Sequence, residues 1–182
     1  FLDYNKIEKI KILVDATHSK HGGGISYLSD LIYYLEKENN FVVNSISYHG
    51  VRNFVNLKHK NFILKNQLTK LFFLIKNYFF YDYVLSLSWT FPSKNLVYIS
   101  QNNISIDNEV LKFFTWHERI KQNFIRIRLK FLIIFSKIVI SPSTETIRLL
   151  NKIIFFKKKI FLVRNFANNL SNEKKTFSSN KR

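Results

Sequence analysis

Cysteine is absent from this sequence of 182 residues, which excludes disulfide bonds and thiolate metal ligands. Proline and glycine are scarce, with 2 and 4 copies, so few positions interrupt regular helices and strands. No apolar run reaches the roughly 18 residues that a membrane-spanning helix needs. A chain without cysteine is compatible with a reducing compartment, and we expect a cytoplasmic protein.

Methionine is also absent, even at position 1. The opening residues, FLDYNKIEKIKIL, run directly into strand-like sequence and show no small-residue cleavage site, so we expect no signal peptide. The missing initiator leads us to expect a fragment, or a chain whose first residues are not recorded.

Acidic residues are few: 12 Asp and Glu stand against 29 Lys and Arg, which gives a net charge of +17. Such an excess suits a nucleic acid, an anionic membrane surface or an anionic substrate as partner. The basic residues are spread along the chain rather than gathered in one block, so a general bias in composition explains them equally well. A hydrophobic content of 46% indicates one domain with a substantial core.

Strand and helix patterns alternate along the chain. Helical spacing predicts one helix after a glycine run, a second around Leu68, Leu71, Phe72, Ile75 and Phe79, a third over about 108–136, and a fourth that begins near Pro142 or Ser143. The alternation predicts an α/β fold with a parallel sheet covered by helices. Short apolar runs predict the strands at 10–15, 41–47, 83–88, 96–100, 137–141 and 159–165, and the ambiguous segment 50–65 could hold another.

Three of the 4 glycines, Gly22, Gly23 and Gly24, stand between the first predicted strand and the first helix. Glycine lets backbone approach a ligand closely, and a helix N-terminus presents unpaired N–H groups and a positive dipole end. The run therefore predicts a phosphate-sized anion site, and the amides of Ile25 and Ser26 share that helix start. The spacing matches neither a dinucleotide fingerprint nor a P-loop, and a tight turn that only packs helix on strand is the alternative.

The segment KILVDATHSKHGGGISYLSDLI resembles the opening of a family-4-type glycosyltransferase of the GT-B architecture. Three later segments resemble further parts of the same N-terminal domain, in order: LVYISQNN with the helix NEVLKFFTWHERI, then FSKIVISPSTETIRLL, then KKKIFLVRNFAN. The sequence departs from the family where many relatives carry Asn beside a Pro-Phe pair, since Ile104 and Ser105 stand there. The resemblance implies a Rossmann-like domain at 9–168, after an extension at 1–8 and before a polar tail or linker start at 169–182.

Enzymes of this kind have two Rossmann-like domains, of which the first mainly binds the acceptor and the second the nucleotide-sugar donor. The resemblance therefore implies a retaining glycosyltransferase of bacterial surface polysaccharide or lipopolysaccharide assembly. A nucleotide-sugar would be its co-substrate, no cofactor is implied, and the acceptor would be a glycan or a lipid-linked molecule. The paired glutamates of the donor domain are absent, so the resemblance implies an acceptor-side half that is inactive alone. By the same resemblance Gly22, Gly23 and Gly24 would face the donor diphosphate.

Five polar residues near the predicted strand ends are candidate substrate ligands. His18 and His21 flank the glycine run and could bond a phosphate or a sugar hydroxyl, or could be solvated loop residues. Gln101, Asn102 and Asn103 follow a predicted strand and could bond sugar hydroxyls or form a turn. Two loop histidines without a carboxylate cluster predict no metal site.

The sequence assigns no catalytic base. Asp15 ends the first predicted strand and could orient the glycine loop or cap its turn. Glu109 and Glu118 are conspicuous carboxylates of the second half. Glu145 is interpreted as structural, because an acidic residue is favourable in the first turn of a helix.

The helix predicted over 108–136 is strongly basic and carries aromatic residues. Ile120, Phe124, Ile127, Phe131 and Ile134 repeat at spacings of four and three, which places them on one face. Two interpretations stay open: a helix packed in the protein with an ordinary solvated face, or an amphipathic helix on an anionic membrane surface, which would make the protein peripheral to the inner face of the membrane. Arg119, Arg126 and Lys130 lie on a different face from these apolar residues. Lys121 and Arg128 add further basic charge to this segment.

Two other functions are compatible with the sequence. A basic nucleic-acid-binding protein would explain the charge, but no RRM, KH, zinc-finger or helix-turn-helix signature is present, so nucleic acid is the weaker assignment. A non-catalytic remnant of a transferase would explain the missing second domain.

Overall fold

The computed structural model describes residues 8–18, 23–48, 59–87, 89–100, 105–154 and 158–163. These ranges form an α/β Rossmann-like fold in which one parallel sheet is flanked by helices, and the predicted fold class is confirmed. The strands are β1 (Ile10–Asp15), β2 (Phe41–Ser47), β3 (Lys60–Ile63), β4 (Tyr83–Ser86), β5 (Leu96–Ile99), β6 (Ile138–Ser141) and β7 (Ile160–Leu162). The helices are α1 (Gly23–Lys37), α2 (Gln67–Lys76), α3 (Asn108–Leu111), α4 (Trp116–Phe135) and α5 (Thr144–Ile153).

The strand order is β3-β2-β1-β4-β5-β6-β7, and every neighbouring pair is parallel. The chain moves outward from β1 to β3, returns to the other side of β1, and then moves outward again from β4 to β7. The order therefore reverses between β1 and β4. In open sheets of this kind, the loops at the carboxyl ends of the strands diverge at such a point and leave a crevice.

The first strand contributes to both faces of the sheet because successive side chains of a strand point to opposite sides. Ile12 and Val14 pack in one cluster with Leu28 and Ile32 of α1. Leu13 packs on the opposite face, under α2. Both faces of this strand are thus covered, which explains its continuous apolar sequence.

The face that α2 covers continues under α4 and α5. Val84 of β4 packs against the cluster beneath α2 and also against the cluster beneath α4 and α5, so the three helices lie on one side of the sheet. The buried residues of the cluster beneath α4 and α5 are Leu96, Tyr98, Ile106, Leu129, Leu132, Ile133, Val139, Leu149, Leu150 and Ile153.

Helix α2 turns its predicted apolar face outward. Leu68, Phe72, Ile75 and Phe79, the last just beyond the helix end, are 62–88% exposed, whereas Lys70 is fully buried. The predicted helix is present, but it contacts the core mainly through a face other than the one these residues mark, and only Leu71 of the predicted set is half-buried. Helix α2 has apolar residues at every position from 71 to 75, so periodicity alone offers two competing faces. The face with Phe73 and Leu74 packs inward.

The helix predicted over 108–136 is in fact two helices. Thr115 caps the second one: its hydroxyl accepts from the Glu118 N–H at 3.5 Å, and the Glu118 carboxylate accepts from the Thr115 N–H at 3.0 Å. This reciprocal capping box satisfies two N–H groups that a helix start would leave unpaired. It starts α4 at Trp116, so residues 112–115 separate the two helices. The hydrogen bonds from Thr115 also lower the pKa of Glu118.

Helix α4 likewise turns its predicted apolar face outward. The five residues of that face are 37–62% exposed: Ile120, Phe124, Ile127, Phe131 and Ile134. Leu129, Leu132 and Ile133 are buried instead and hold the second half of the helix on the sheet. The helix is therefore packed on the sheet, but through a face other than the one its periodicity marks.

Candidate functional site

The crevice between the carboxyl ends of β1 and β4 is the place where this topology binds ligands. Strand β1 ends at Asp15 and runs through Thr17 to His18, while the chain after β4 brings Trp89 and Thr90 to the same edge. The helices that follow the strands in such a sheet begin at this edge, so it also carries the starts of α1 and α2.

The glycine run lies at the start of α1. The helix begins at Gly23, so Gly23, Gly24, Ile25 and Ser26 form its first turn, while Gly22 lies outside the described residues. The first N–H groups of a helix have no intrahelical partners. The first turn contains no acidic residue that would compete with a bound anion. The geometry of this helix start thus has the features of an anion site.

A buried ion pair joins β1 to α2 beside this helix start. The Lys70 Nζ lies 2.6 Å from the Asp15 Oδ2, and both side chains are fully buried. Lys70 also donates to the Thr17 hydroxyl at 2.9 Å and to the Trp89 carbonyl at 3.2 Å, so its three donors are all used. One ammonium group therefore connects the end of β1, helix α2 and the chain that follows β4.

Asp15 also fixes the turn that leads toward the glycine run. Its Oδ1 accepts from the Thr17 N–H at 3.1 Å and from the Thr17 hydroxyl at 2.7 Å. Of the two roles left open for Asp15, these bonds fit the capping of the turn, and the Lys70 contact adds a role that the sequence did not suggest. Both oxygens of the Asp15 carboxylate thus contact protein groups, so this residue stabilises the chain at the end of β1.

His18 lies at the rim of the crevice. Its Nε2 is 2.9 Å from the Gln67 Nε2 at the start of α2, and its ring meets the Tyr48 ring edge-on at 5.9 Å. Burial and the negative charge of Asp15 raise the pKa of Tyr48. His18 is exposed and already contacts two elements of the rim, whereas His21 lies outside the described residues.

The ends of β4 and β5 add further hydroxyl groups. The Thr90 Oγ1 is fully buried and has no hydrogen-bond partner among the described residues. Burial raises the pKa of Tyr98 to about 12, and the Ser100 hydroxyl just after β5 is fully buried. Gln101, Asn102 and Asn103, which follow Ser100, lie outside the described residues.

Three carboxylates of the second half make local contacts away from the crevice. Glu109 pairs with Lys112 at 2.7 Å, and Glu145 pairs with Arg148 at 2.5 Å. Glu118 belongs to the capping box of α4. The hydrogen bond from Arg148 lowers the pKa of Glu145, which agrees with its interpretation as a structural residue. Within the described ranges, no group of three or more metal-ligating side chains comes together.

An apolar cavity of about 200 Å³ lies at the opposite edge of the sheet. Its walls include Leu74 and Tyr78 from the α2 region, Tyr81 before β4, and Phe91 and Pro92 before β5. Because this cavity lies at the amino ends of β4 and β5, it is separate from the crevice.

Sequence reasoning missed Lys70, Gln67 and Trp89. The signal for Lys70 was its spacing: positions 70, 73 and 74 fall on one helical face, so a lysine that shares a face with Phe73 and Leu74 has to find a buried acceptor. Asp15, at the end of a buried strand, was the acceptor available. No comparable local signal points to Trp89, which contributes only its backbone carbonyl to this contact.

No protein-family model matches the chain, and no curated protein matches it. Across the described ranges, no helix combines the length and the apolar character that crossing a bilayer requires. The chain therefore has an α/β Rossmann-like fold. The strand order of its sheet reverses between β1 and β4, which is its switch point, and the glycine-rich start of α1 lies at the edge where these strands end.

Proposed function

We propose that this chain is the acceptor-side N-terminal domain of a two-domain glycosyltransferase that moves a sugar from a nucleotide-sugar to a glycan or a lipid-linked acceptor. The observation that carries the proposal is the position of Gly23 and Gly24, in the first turn of α1 beside the switch point between β1 and β4. A phosphate-bearing ligand bound in that crevice would meet backbone N–H groups without an intervening Cβ.

The first turn of α1 would act electrostatically on the donor. As the bond between sugar and diphosphate breaks, negative charge grows on the leaving nucleotide. The N–H groups of Gly23, Gly24 and Ile25 and the positive end of the helix dipole would stabilise that charge. The dipole alone contributes about 0.3–1 kcal/mol at an exposed site, so most donor affinity would come from a second domain.

The crevice rim would bind the acceptor. His18 is exposed at this rim and can donate or accept a hydrogen bond at a sugar hydroxyl, whereas the Thr90 hydroxyl is fully buried and lies behind the surface. The Asp15–Lys70 pair would position these groups and would not react, since both of its charges are satisfied within the protein. We assign no catalytic nucleophile or base to this chain, and the reaction as proposed uses no bound cofactor.

We further propose that the enzyme works at the cytoplasmic face of a membrane in the assembly of surface polysaccharide or lipopolysaccharide. This part of the proposal depends on the sequence resemblance and on the charge of +17.

The proposal is tested by NMR titration of the isotope-labelled full chain with uridine and guanosine diphosphates and with inorganic pyrophosphate. We expect millimolar binding, with the largest amide shifts at Gly23, Gly24, Ile25 and Ser26. Gly24→Glu should abolish these shifts because it places a negative charge where the phosphate would bind. Tyr33→Glu adds the same charge to the outer surface of the same helix and should leave the shifts unchanged.

Two outcomes would overturn the proposal. Amide shifts spread over the basic surface, with tighter binding to a short DNA duplex and a steep salt dependence, would favour a nucleic-acid-binding protein. The absence of any shift at the start of α1 with all three ligands would remove the anion site on which the proposal rests.

A further inference from the structure

Two helices on one side of the sheet, α2 and α4, expose more apolar surface than an ordinary surface helix does. In α5, Leu149, Leu150 and Ile153 are buried, while Glu145 and Arg148 form an exposed ion pair. Helices α4 and α2 also pack apolar residues inward, but each carries a second apolar stripe that faces outward. An outward apolar stripe of this extent on a highly charged chain indicates a surface that contacts a partner.

The α4 stripe is long and runs along most of the helix. Trp116 is 69% exposed at the helix start, and the stripe continues through residues 120, 124, 127, 131 and 134. At about 1.5 Å per residue, the stripe extends for about 27 Å. In the first half of the helix, Gln122 bonds the Ser105 hydroxyl and Arg126 bonds the Ser105 carbonyl and the Asn108 side chain. The polar side of this half therefore faces the protein, and the apolar side faces away.

Basic residues border the α4 stripe on both edges. Successive helical residues are about 100° apart, which places Lys121 and Arg128 along one edge of the stripe and Arg119 and Lys130 along the other. Glu118 is the only acidic residue of α4. With five Lys and Arg residues against one acid, the helix has a net charge of 5 − 1 = +4.

The exposed face of α2 extends the same surface. Leu68, Phe72 and Ile75 face outward on a helix that packs on the same side of the sheet as α4. Lys65 and Lys76 lie at its two ends and are exposed. We name the outward residues of α2 and α4 together the outer face.

Charge decides which occupant suits the outer face. A second copy of this chain would bring another +17 against the basic borders, so self-association through this face is opposed electrostatically. A ligand bound at the crevice would lie along the carboxyl edge of the strands, whereas the outer face lies on top of the helix layer. An anionic lipid surface offers both negative headgroups for the basic borders and an apolar interior for the stripes.

We propose that the outer face docks the protein on an anionic bilayer, with α4 lying in the interface plane. The six charged side chains of α4 prevent the helix from crossing the membrane, since ionised groups are costly in the hydrocarbon core. The basic borders meet the headgroups, the isoleucine and phenylalanine side chains enter the boundary of the acyl region, and Trp116 lies at headgroup depth. This inference rests on the helix layer and stands whether or not the crevice binds a nucleotide-sugar.

The experiment is co-sedimentation of the full chain with vesicles of equal parts phosphatidylglycerol and phosphatidylcholine, compared with vesicles of phosphatidylcholine alone. We expect binding to the anionic vesicles and at least about tenfold weaker binding to the neutral ones. Phe124→Glu with Phe131→Glu should weaken binding to anionic vesicles at least about tenfold. Lys121→Gln should weaken it about fivefold. Tyr33→Glu is the matched control on α1, across the sheet, and should change little.

Trp116 provides a second readout at the outer face. The chain has 2 tryptophans, so Trp89→Phe leaves Trp116 as the only one. Its emission should shift to shorter wavelength when anionic vesicles are added. Far-UV circular dichroism and urea midpoints of the Tyr33, Lys121 and phenylalanine variants should match those of the parent chain, because those side chains are exposed. Trp89 is half-buried, so Trp89→Phe serves only as the background for the fluorescence measurement.

Any of three outcomes in the vesicle experiments would overturn the inference. These are equal affinity for neutral and anionic vesicles, full binding by the Phe124→Glu, Phe131→Glu variant, and a Trp116 emission that vesicles do not change. A concentration-dependent dimer in sedimentation velocity that the same double variant abolishes would also overturn it, by assigning the outer face to a second copy.

Discussion

Lys70 is the residue whose environment departs most from ordinary rules, since lysine is among the side chains least often buried. Its burial is tolerated because the ammonium pairs with Asp15 and donates to two further oxygens. Such a pair is weak evidence for net stability, but removing one partner leaves the other buried without compensation. Because the Asp15–Lys70 pair joins the end of β1 to α2 and to the chain after β4, it fixes the relative positions of the elements around the crevice.

Lys70→Met should destabilise the fold by about 3–5 kcal/mol, because Asp15 would keep a buried and unpaired charge. Asp15→Asn added to Lys70→Met should recover part of that loss. Urea unfolding monitored by circular dichroism measures both effects. Lys76→Met, a lysine exposed on the same helix, is the control and should stay within about 0.5 kcal/mol of the parent. A loss below about 1 kcal/mol for Lys70→Met would show that the pair is not buried as described.

His59 offers a pH-dependent test at the same scale. Its Nε2 lies 2.8 Å from the Ser45 hydroxyl, and burial lowers its pKa below 6.5, although the charge of Glu36 opposes the shift. Because the folded state binds the proton less readily than the unfolded chain, this histidine's contribution to stability is complete above pH 6.5. That contribution falls as the pH drops from 6.5 toward the folded-state pKa.

The parent chain should therefore lose stability between about pH 7.5 and about pH 5.5, and His59→Gln should lose less over the same interval. Glu36→Gln should lose more, because it removes the charge that supports the protonated form. Urea midpoints at the two pH values give the comparison. Equal losses in the parent and in His59→Gln would contradict the lowered pKa.

The helices separate into two kinds. Helices α1 and α5 bury the apolar face that their periodicity marks, including Leu28 and Ile32 in α1. Helices α2 and α4 bury a different face and leave the stronger aromatic stripe outside. The cause is a local excess of apolar residues, at 71–75 in α2 and at 129–135 in α4, where only Lys130 is polar. A segment that is apolar on several sides contains more than one possible contact face.

Adjacent residues of α4 provide a matched test of this orientation. Leu132 is 2% exposed, and Leu132→Ala should cost about 2–5 kcal/mol through lost burial and a residual cavity. Phe131 is 52% exposed, and Phe131→Ala should cost less than about 1 kcal/mol despite the larger side chain. Chemical denaturation of the two variants is the measurement. The reverse ranking would mean that α4 packs through the face predicted from its periodicity.

The whole molecule carries a net charge of +17, and like charges raise the free energy of a compact chain. The exposed ion pairs Glu109–Lys112 and Glu145–Arg148 offset little of this, since surface pairs contribute about 0–1 kcal/mol. The same charge acts as an attraction once an anionic surface is present, which connects fold stability with the proposed docking.

Added sodium chloride should therefore raise the urea midpoint, because screening over about 10 Å at 0.1 M weakens the repulsion between basic residues. The same salt should weaken binding to anionic vesicles. Midpoints measured in low and in moderate salt provide the test, with the neutral osmolyte trehalose as a control for general solvent effects. A midpoint that falls with salt would mean that ion pairs outweigh the repulsion in the folded state.

Much of the fold was predictable because its signals are local. The bounds of β1 and β2 match the predicted 10–15 and 41–47 residue for residue, and α5 begins just after the predicted Pro142 or Ser143. The glycine run was predicted at a helix start, and α1 begins within it. Strand runs, turn residues and helix starts depend on side chains a few positions apart, so the sequence displays them directly.

By itself, then, the sequence determined the alternation of strands and helices, the parallel character of the sheet and the placement of the glycines at the first helix. Only the tertiary structure decided which face of α2 and α4 is buried and which lysine enters the core. Lys70 and Asp15 are 55 residues apart, and their contact exists only because α2 packs beside the end of β1. Periodicity can show that a helix has an apolar face, but when two such faces compete, the packing against distant strands selects one.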